Sequence, residues 1–325
     1  MKQYQHLSSE ERFYIHQAVR EGKRKKEIAR ALGRHPSTIG REFRRNMWPS
    51  SYLYTYDWAL YFVRLRKRYA NARKYRKMTG ETKTLVVALL KQYLSPEQIS
   101  AYLKKHHGVC ISHESIYRCI YTDKALYSTL RPYLRQSGKK RRRRYGSGAR
   151  ATLIPNRTPI EQRPRIVDLR KRIGDWECDT VIGKDRKSAL VTLVERKTLF
   201  SLFATVPRKT AHHVQQAIIA LLRPYMDKVK TLTFDNGSEF TQHEKIAKAL
   251  KAKTYFANPY SSWERGINEN TNGLLRQFFP RAINFNTVTA AQIKRAVHLL
   301  NNRPRKTRQY KTPNQIFNEI FVPLI

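Results

Sequence analysis

The chain has 325 residues, and its 65 lysines and arginines outweigh 24 aspartates and glutamates to give a formal net charge of +41. Hydrophobic residues make up 40% of it, enough to build cores, so wholesale disorder is excluded. No apolar run reaches the ~18–20 residues that span a bilayer. Cys110, Cys119 and Cys178 make no disulfide framework, and the opening MKQYQHLSSEER lacks the apolar stretch of a signal peptide. These features predict a cytoplasmic, membrane-free protein of two or three domains whose charge is neutralised by a polyanion, with nucleic acid the default partner.

Residues 1–48 read as three short helices. Ser8-Ser9-Glu10-Glu11 caps the first, a second runs from Lys26 to Leu32 and stops at Gly33, and a third opens at His35-Pro36-Ser37-Thr38. Two helices joined by a tight glycine turn, the second carrying Ser37, Thr38, Arg41, Arg44 and Arg45, form a helix-turn-helix pattern suited to double-stranded DNA. Residues 49–92, rich in Tyr, Arg and Lys, predict a basic helical connector. Residues 93–136 repeat the helix-turn-helix theme, with Ser95-Pro96 opening one helix and Ser112, His113 and Arg118 on a second recognition helix. His107, Cys110, His113 and Cys119 match no zinc-finger spacing, so they read as structural side chains. Residues 137–165 form a basic linker in which Lys139, Lys140, Arg141, Arg142, Arg143 and Arg144 are suited to phosphates.

Residues 166–325 change character. Trp176–Gly183, Ala189–Val194 and Leu199–Val206 read as strands joined by short polar turns. A helix around Val214–Leu222, a strand Val229–Phe234, a short helix, a strand Thr254–Ala257 and a helix Glu264–Phe278 follow. Three strands, helix, strand, helix, strand, helix is the order of the ribonuclease H-like α/β fold with a mixed five-stranded sheet, here followed by a basic C-terminal tail.

Residues two apart share a strand face, so Asp175, Glu177 and Asp179 point one way and need a cation or arginine to offset their repulsion. Right-handed crossovers place the fourth strand beside the first, which brings Asp235 to Asp179. Asp235-Asn236-Gly237 also reads as ordinary turn chemistry. The stretch Trp263–Gly273 is a poor helix former, with Gly266, Asn268, Asn270, Asn272 and Gly273, and a local rule broken this way marks a functional site around Glu269. Asp179, Asp235 and Glu269 thus make an acidic triad able to hold two hard divalent ions about 4 Å apart for phosphoryl transfer. Magnesium is expected, with manganese as a substitute. Asn236, Arg265, Asn268 and Asn272 are candidates for orienting carboxylates or phosphates.

Trp176-Glu177-Cys178-Asp179, Phe234-Asp235-Asn236-Gly237-Ser238-Glu239-Phe240, Trp263-Glu264-Arg265-Gly266 with Asn268–Gly273, and Asn301-Asn302-Arg303-Pro304-Arg305 with Tyr310-Lys311-Thr312-Pro313 closely resemble the insertion-sequence-thirty family of bacterial transposases. That family belongs to the class sharing the retroviral-integrase catalytic core. The resemblance implies Asp179, Asp235 and Glu269 as the metal-binding triad. It also implies two helix-turn-helix units reading the element's terminal inverted repeats, and DNA cleavage followed by strand transfer. A homodimer or larger homo-oligomer on DNA, associated with the nucleoid, is expected. A non-enzymatic regulator leaves the triad without purpose, and a structure-specific nuclease does not need two DNA-reading modules.

Overall fold

The computed structural model describes residues 5–48, 53–75, 78–135, 154–259 and 261–324, so Lys139, Lys140 and Arg141 to Arg144 lie outside the described residues. The chain divides into two compact units, Met1–Thr79 and Gly80–Ile325.

In the first unit, α1 (Ser9–Arg20), α2 (Lys25–Ala31) and α3 (Pro36–Asn46) are followed by α4 (Tyr56–Tyr75). Ser8 caps α1 in a reciprocal box with Glu11, and His35 caps α3, with Pro36 in its first turn. Ile15, Ala18, Ile28, Ala29, Ile39 and Phe43 close the helical core, together with Tyr54 and Ala59 from the segment expected to be only a connector. That connector is in fact divided. Its first half packs on the helix-turn-helix, and its second half begins the next unit.

The second unit opens with α5 (Gly80–Lys91), α6 (Pro96–His106), α7 (His113–Thr122) and α8 (Lys124–Leu130), followed by the short α9 (Arg165–Leu169). Strands β1 (Asp175–Ile182), β2 (Ala189–Glu195) and β3 (Ser201–Val206) form an antiparallel meander. α10 (Ala211–Leu222), β4 (Thr231–Phe234), α11 (His243–Leu250), β5 (Lys253–Phe256), α12 (Gly266–Leu275), α13 (Ala290–Asn301) and α14 (Pro313–Phe317) complete the order. The sheet runs β3-β2-β1-β4-β5, with β4 parallel to both β1 and β5. The element order agrees with the expectation, and the strand ends differ by one or two residues.

Both faces of the sheet are covered, which is why β2 is buried at every position. Trp176, Cys178, Val191 and Leu193 pack with Val214, Ile218, Ile246 and Leu250 on one side. Val181, Leu190 and Phe203 pack with Leu274, Leu275, Ile293 and Leu300 on the other. Asp175, Glu177 and Asp179 therefore share the α12 side, as alternation requires.

The end of the basic linker expected over 137–165 belongs to the core: Ile154 is buried in the sheet core, and the Phe256 amide donates to the Thr158 carbonyl at 2.9 Å. An edge strand presents unpaired backbone groups, and this segment covers those of β5. The basic tail is also packed rather than loose. Arg303 and Arg305 are buried, and burial pushes their pKa values down to about 9 and about 10. Phe317 stacks on Phe200 at 4.3 Å, and Gln98 of α6 donates to the Pro304 carbonyl at 2.7 Å, tying the second helical module to the core. No helix among the described residues is long and apolar enough to cross a membrane.

Asn301 fastens the open edge of β3. Its Oδ1 accepts from the Ser201 amide, and its Nδ2 donates to the Ser201 carbonyl, both at 2.8 Å. Asn301→Ala strands two buried backbone groups, so it is expected to lower stability by about 2–4 kcal/mol in denaturant unfolding, against little change for the exposed Lys294→Ala.

Candidate catalytic site

Each acid on the inner face of β1 has its own arginine. Asp175, 1% exposed, is met by Arg172 at 2.9 Å and by the Thr231 hydroxyl at 2.8 Å. Glu177, fully buried, is met by Arg196 at 2.7 Å and accepts the Asn268 amide at 3.0 Å. Burial nevertheless raises its pKa above the ordinary carboxylate value. These two acids are closed to any ligand.

Asp179 lies further along, where the sheet face opens. β1 and β4 run in parallel register with Glu177 opposite Thr233. Continuing that register brings Asp235, just past the end of β4, opposite Asp179 on a strand about 4.8 Å away. One guanidinium spans the two. Arg265 donates to Asp235 Oδ2 at 3.1 Å and stands 3.6 Å from Asp179 Oδ1. Asp179 also accepts from the Thr180 amide at 2.8 Å and from Asn272 Nδ2 at 2.9 Å. Burial dominates over these contacts and pushes its pKa up to about 6. The two carboxylate oxygens of Asp235 are divided: Oδ1 accepts the Gly237 amide at 3.0 Å in a turn, while Oδ2 faces Arg265.

The unfavourable α12 sequence is fastened by this acidic face. Asn268 is fully buried, and both its amide atoms, like Asn272 Oδ1, lack a hydrogen-bond partner. Asn236 is tied to the neighbouring backbone: it donates to the Ala257 carbonyl at 2.7 Å and accepts from Arg157 at 2.6 Å. Glu269 lies one turn beyond Arg265 and three residues before Asn272, but its side chain is exposed. Among the described residues, no three acidic, histidine or cysteine side chains converge to hold one metal ion. The structure thus brings Asp179, Asp235, Arg265 and Asn272 together, with Glu269 exposed on the same helix as Asn272.

Residues 3–46 match the Helix-turn-helix domain family and residues 170–262 the Integrase core domain family. The chain is 40% identical over 320 residues to the transposase for insertion sequence element IS4351 of Bacteroides fragilis, covering 97% of this chain and 96% of that protein. It is 36% identical to the transposase InsI for insertion sequence element IS30A of Escherichia coli, covering 96% of this chain and 83% of that one. It belongs to the IS30 family of transposases.

The transposase also carries a buried carboxylate outside the expected triad. Glu239, 3% exposed, accepts from the Thr180 hydroxyl at 2.8 Å and pairs with Lys209 at 2.9 Å, while its Oε2 has no partner. The available signal was glycine: a Cβ on Gly237 would lie 2.4 Å from Glu239 Oε2. On the DNA-binding side of the transposase, Ser37, Arg41, Arg44 and Arg45 are exposed on α3 and Thr38 is half-buried. Arg41 donates to the Ser37 carbonyl at 3.2 Å. In the second module Ser112 caps α7 by accepting the Ser115 amide at 3.2 Å, so its hydroxyl has a structural task, whereas His113 and Arg118 are exposed.

The pairing of Arg196 with Glu177 makes a firm expectation. Arg196→Met leaves a buried carboxylate without its cation and is expected to cost about 3–5 kcal/mol of stability in chemical denaturation. The double variant Arg196→Met/Glu177→Leu is expected to recover most of that loss.

Proposed function

We propose that this transposase binds the terminal inverted repeats of its own element and joins them to target DNA, using Asp179, Asp235 and Glu269 at one phosphoryl-transfer site. The observation that carries the reading is the parallel register of β1 and β4, which sets Asp179 beside Asp235 where the sheet face opens.

The residues present fit a hard divalent cation. Two partly exposed carboxylates lie side by side, and Asn272, whose Nδ2 is on Asp179, has an unpartnered amide oxygen that adds a neutral oxygen donor. Asp179, Asp235 and Glu269 would hold the cation. When bound, a pair of magnesium ions, or manganese in their place, supplies an activated attacking oxygen and a stabilised leaving oxygen. Arg265 orients the two aspartates, and Asn272 fixes the Asp179 carboxylate through Oδ2.

In the first step a water oxygen bonds to the phosphorus at the element end, the bond to the 3′ oxygen breaks, and that oxygen leaves as a 3′-hydroxyl. In the second, the hydroxyl attacks a target phosphodiester in line and displaces a second 3′ oxygen. The helix-turn-helix units hold double-stranded DNA through Ser37, Thr38, Arg41, Arg44 and Arg45, and through His113 and Arg118. The run Lys139 to Arg144 adds phosphate contacts. Two element ends call for at least two copies of the chain, working on the bacterial chromosome in the cytoplasm.

An assay with a duplex carrying the inverted repeats that flank the gene, a target plasmid and magnesium tests this reading. Cutting and joining are expected; cutting without joining would identify a nuclease, and neither would identify a regulator. Asp179→Asn, Asp235→Asn and Glu269→Gln are each expected to abolish both steps while retaining duplex binding in gel shifts. A Glu269→Gln protein with full joining activity would remove that residue from the site.

A proton on Asp179 competes with a cation. Because its pKa stands at about 6, Mn2+ binding by the full chain is expected to weaken as pH falls through about 6. Calorimetric titrations about one pH unit to either side check this, and Asp179→Asn should flatten the dependence.

A further inference from the structure

The first unit contains a cavity of 330 Å³ between α3 and α4. Arg41 and Arg45 of α3, Arg66 and Lys67 of α4, and Arg12 of α1 line it. Glu42, the one carboxylate in its wall, is 7% exposed and already engaged: Arg12 Nε donates to it at 2.8 Å and the Tyr54 hydroxyl at 3.2 Å. The wall is therefore strongly and one-sidedly cationic.

Of its exposed cations, Arg66 is held in place. Arg66 Nη1 donates to the Arg45 carbonyl at 2.7 Å, and its Nη2 donates to Asn46 Oδ1. Both acceptors belong to the last turn of α3, so the C-terminal end of that helix fixes the guanidinium. Burial pushes the Arg66 pKa down against the Glu42 charge, which raises it, and the neighbouring Arg45 and Arg12 charges add to the fall. Like charges gathered in one concavity cost stability, and an anion seated among them removes that cost.

We infer that this cavity seats a backbone phosphate of duplex DNA, making α4 a working part of the DNA-binding surface and not a spacer. The inference rests on the helix-turn-helix reading above. Two features choose DNA as the source of the phosphate. Arg41 and Arg45 belong to the recognition helix itself, and the whole unit is basic enough to neutralise several phosphates along one strand. The division of labour follows from the helical faces. Thr38, Arg41 and Arg45 turn towards α4 and the backbone, whereas Ser37, Gly40 and Arg44 lie on the adjoining face, which is left to meet base edges. Gly40 has nothing within 4 Å of where a Cβ would stand, so no packing inside the chain requires a glycine there.

The test uses the full chain and fluorescence anisotropy on two duplexes, one carrying the flanking inverted repeat and one of unrelated sequence, across a series of salt concentrations. Lys67→Ala is expected to weaken binding to both duplexes by the same factor, roughly tenfold at low salt, and to flatten the slope of log K against log salt by about 0.9. Lys67→Glu should deepen the loss in the same uniform way. Arg66→Lys keeps the charge and is expected to lose less than Arg66→Ala. Circular dichroism melts of each variant separate misfolding from lost contact. Unchanged affinity and slope in folded Lys67→Ala and Lys67→Glu overturn the inference, as does a loss confined to the repeat duplex, which would mean base reading. Failure of the unmodified chain to bind either duplex would instead overturn the DNA-binding reading itself.

Discussion

The structure depends on matching each acid of one strand face with a guanidinium. Moving an unpaired carboxylate into a protein interior costs several kcal/mol, and β1 carries three on the side that packs against α12. Arg172, Arg196 and Arg265 answer Asp175, Glu177 and Asp179 in turn, and Arg265 also takes Asp235. Exposure rises along this series, from 1% and 0% at the first two side chains to 20% at Asp179 and 33% at Asp235. The inner pairs hold the sheet to its surroundings, and the outer pair stays partly open to solvent.

The same acids explain why α12 is a helix at all. Gly266 and Gly273 have open space where a Cβ would stand, so neither is there to let another group come close, and both lower helix propensity. Three contacts with the sheet fasten the segment instead: the Asn268 amide on Glu177, the Asn272 side chain on Asp179, and Arg265 across the aspartates. The helix is therefore a consequence of the acidic face. Its buried, unpartnered amide atoms mark the place where a further polar group has a use.

In the helical modules the charge is arranged in a different way. In the first unit, basic side chains from three helices gather around a concavity whose single carboxylate is already neutralised. Repulsion at such a place is relieved by a partner that brings its own negative charge, in contrast to the catalytic domain, where positive and negative groups are matched within the chain. The two regions express two uses of the +41 charge: one inward, to hold acids in place, and one outward, towards a polyanion.

Much of this was legible before any coordinates. Strand alternation put Asp175, Glu177 and Asp179 on one face, and the handedness of crossovers brought Asp235 beside Asp179. Ser8 and Ser95 marked helix starts, because a cap is chosen by residues three positions away. Such features depend on backbone preference and short-range periodicity, which neighbouring residues encode by themselves. Tertiary packing decided the rest. It assigned Arg196 to Glu177, set the Thr180 hydroxyl and Lys209 on the buried Glu239, and laid Ile154 and Thr158 along the edge of β5. Those outcomes join residues far apart in the chain, and each is settled by which buried charge or unpaired backbone group needs a partner once the layers meet.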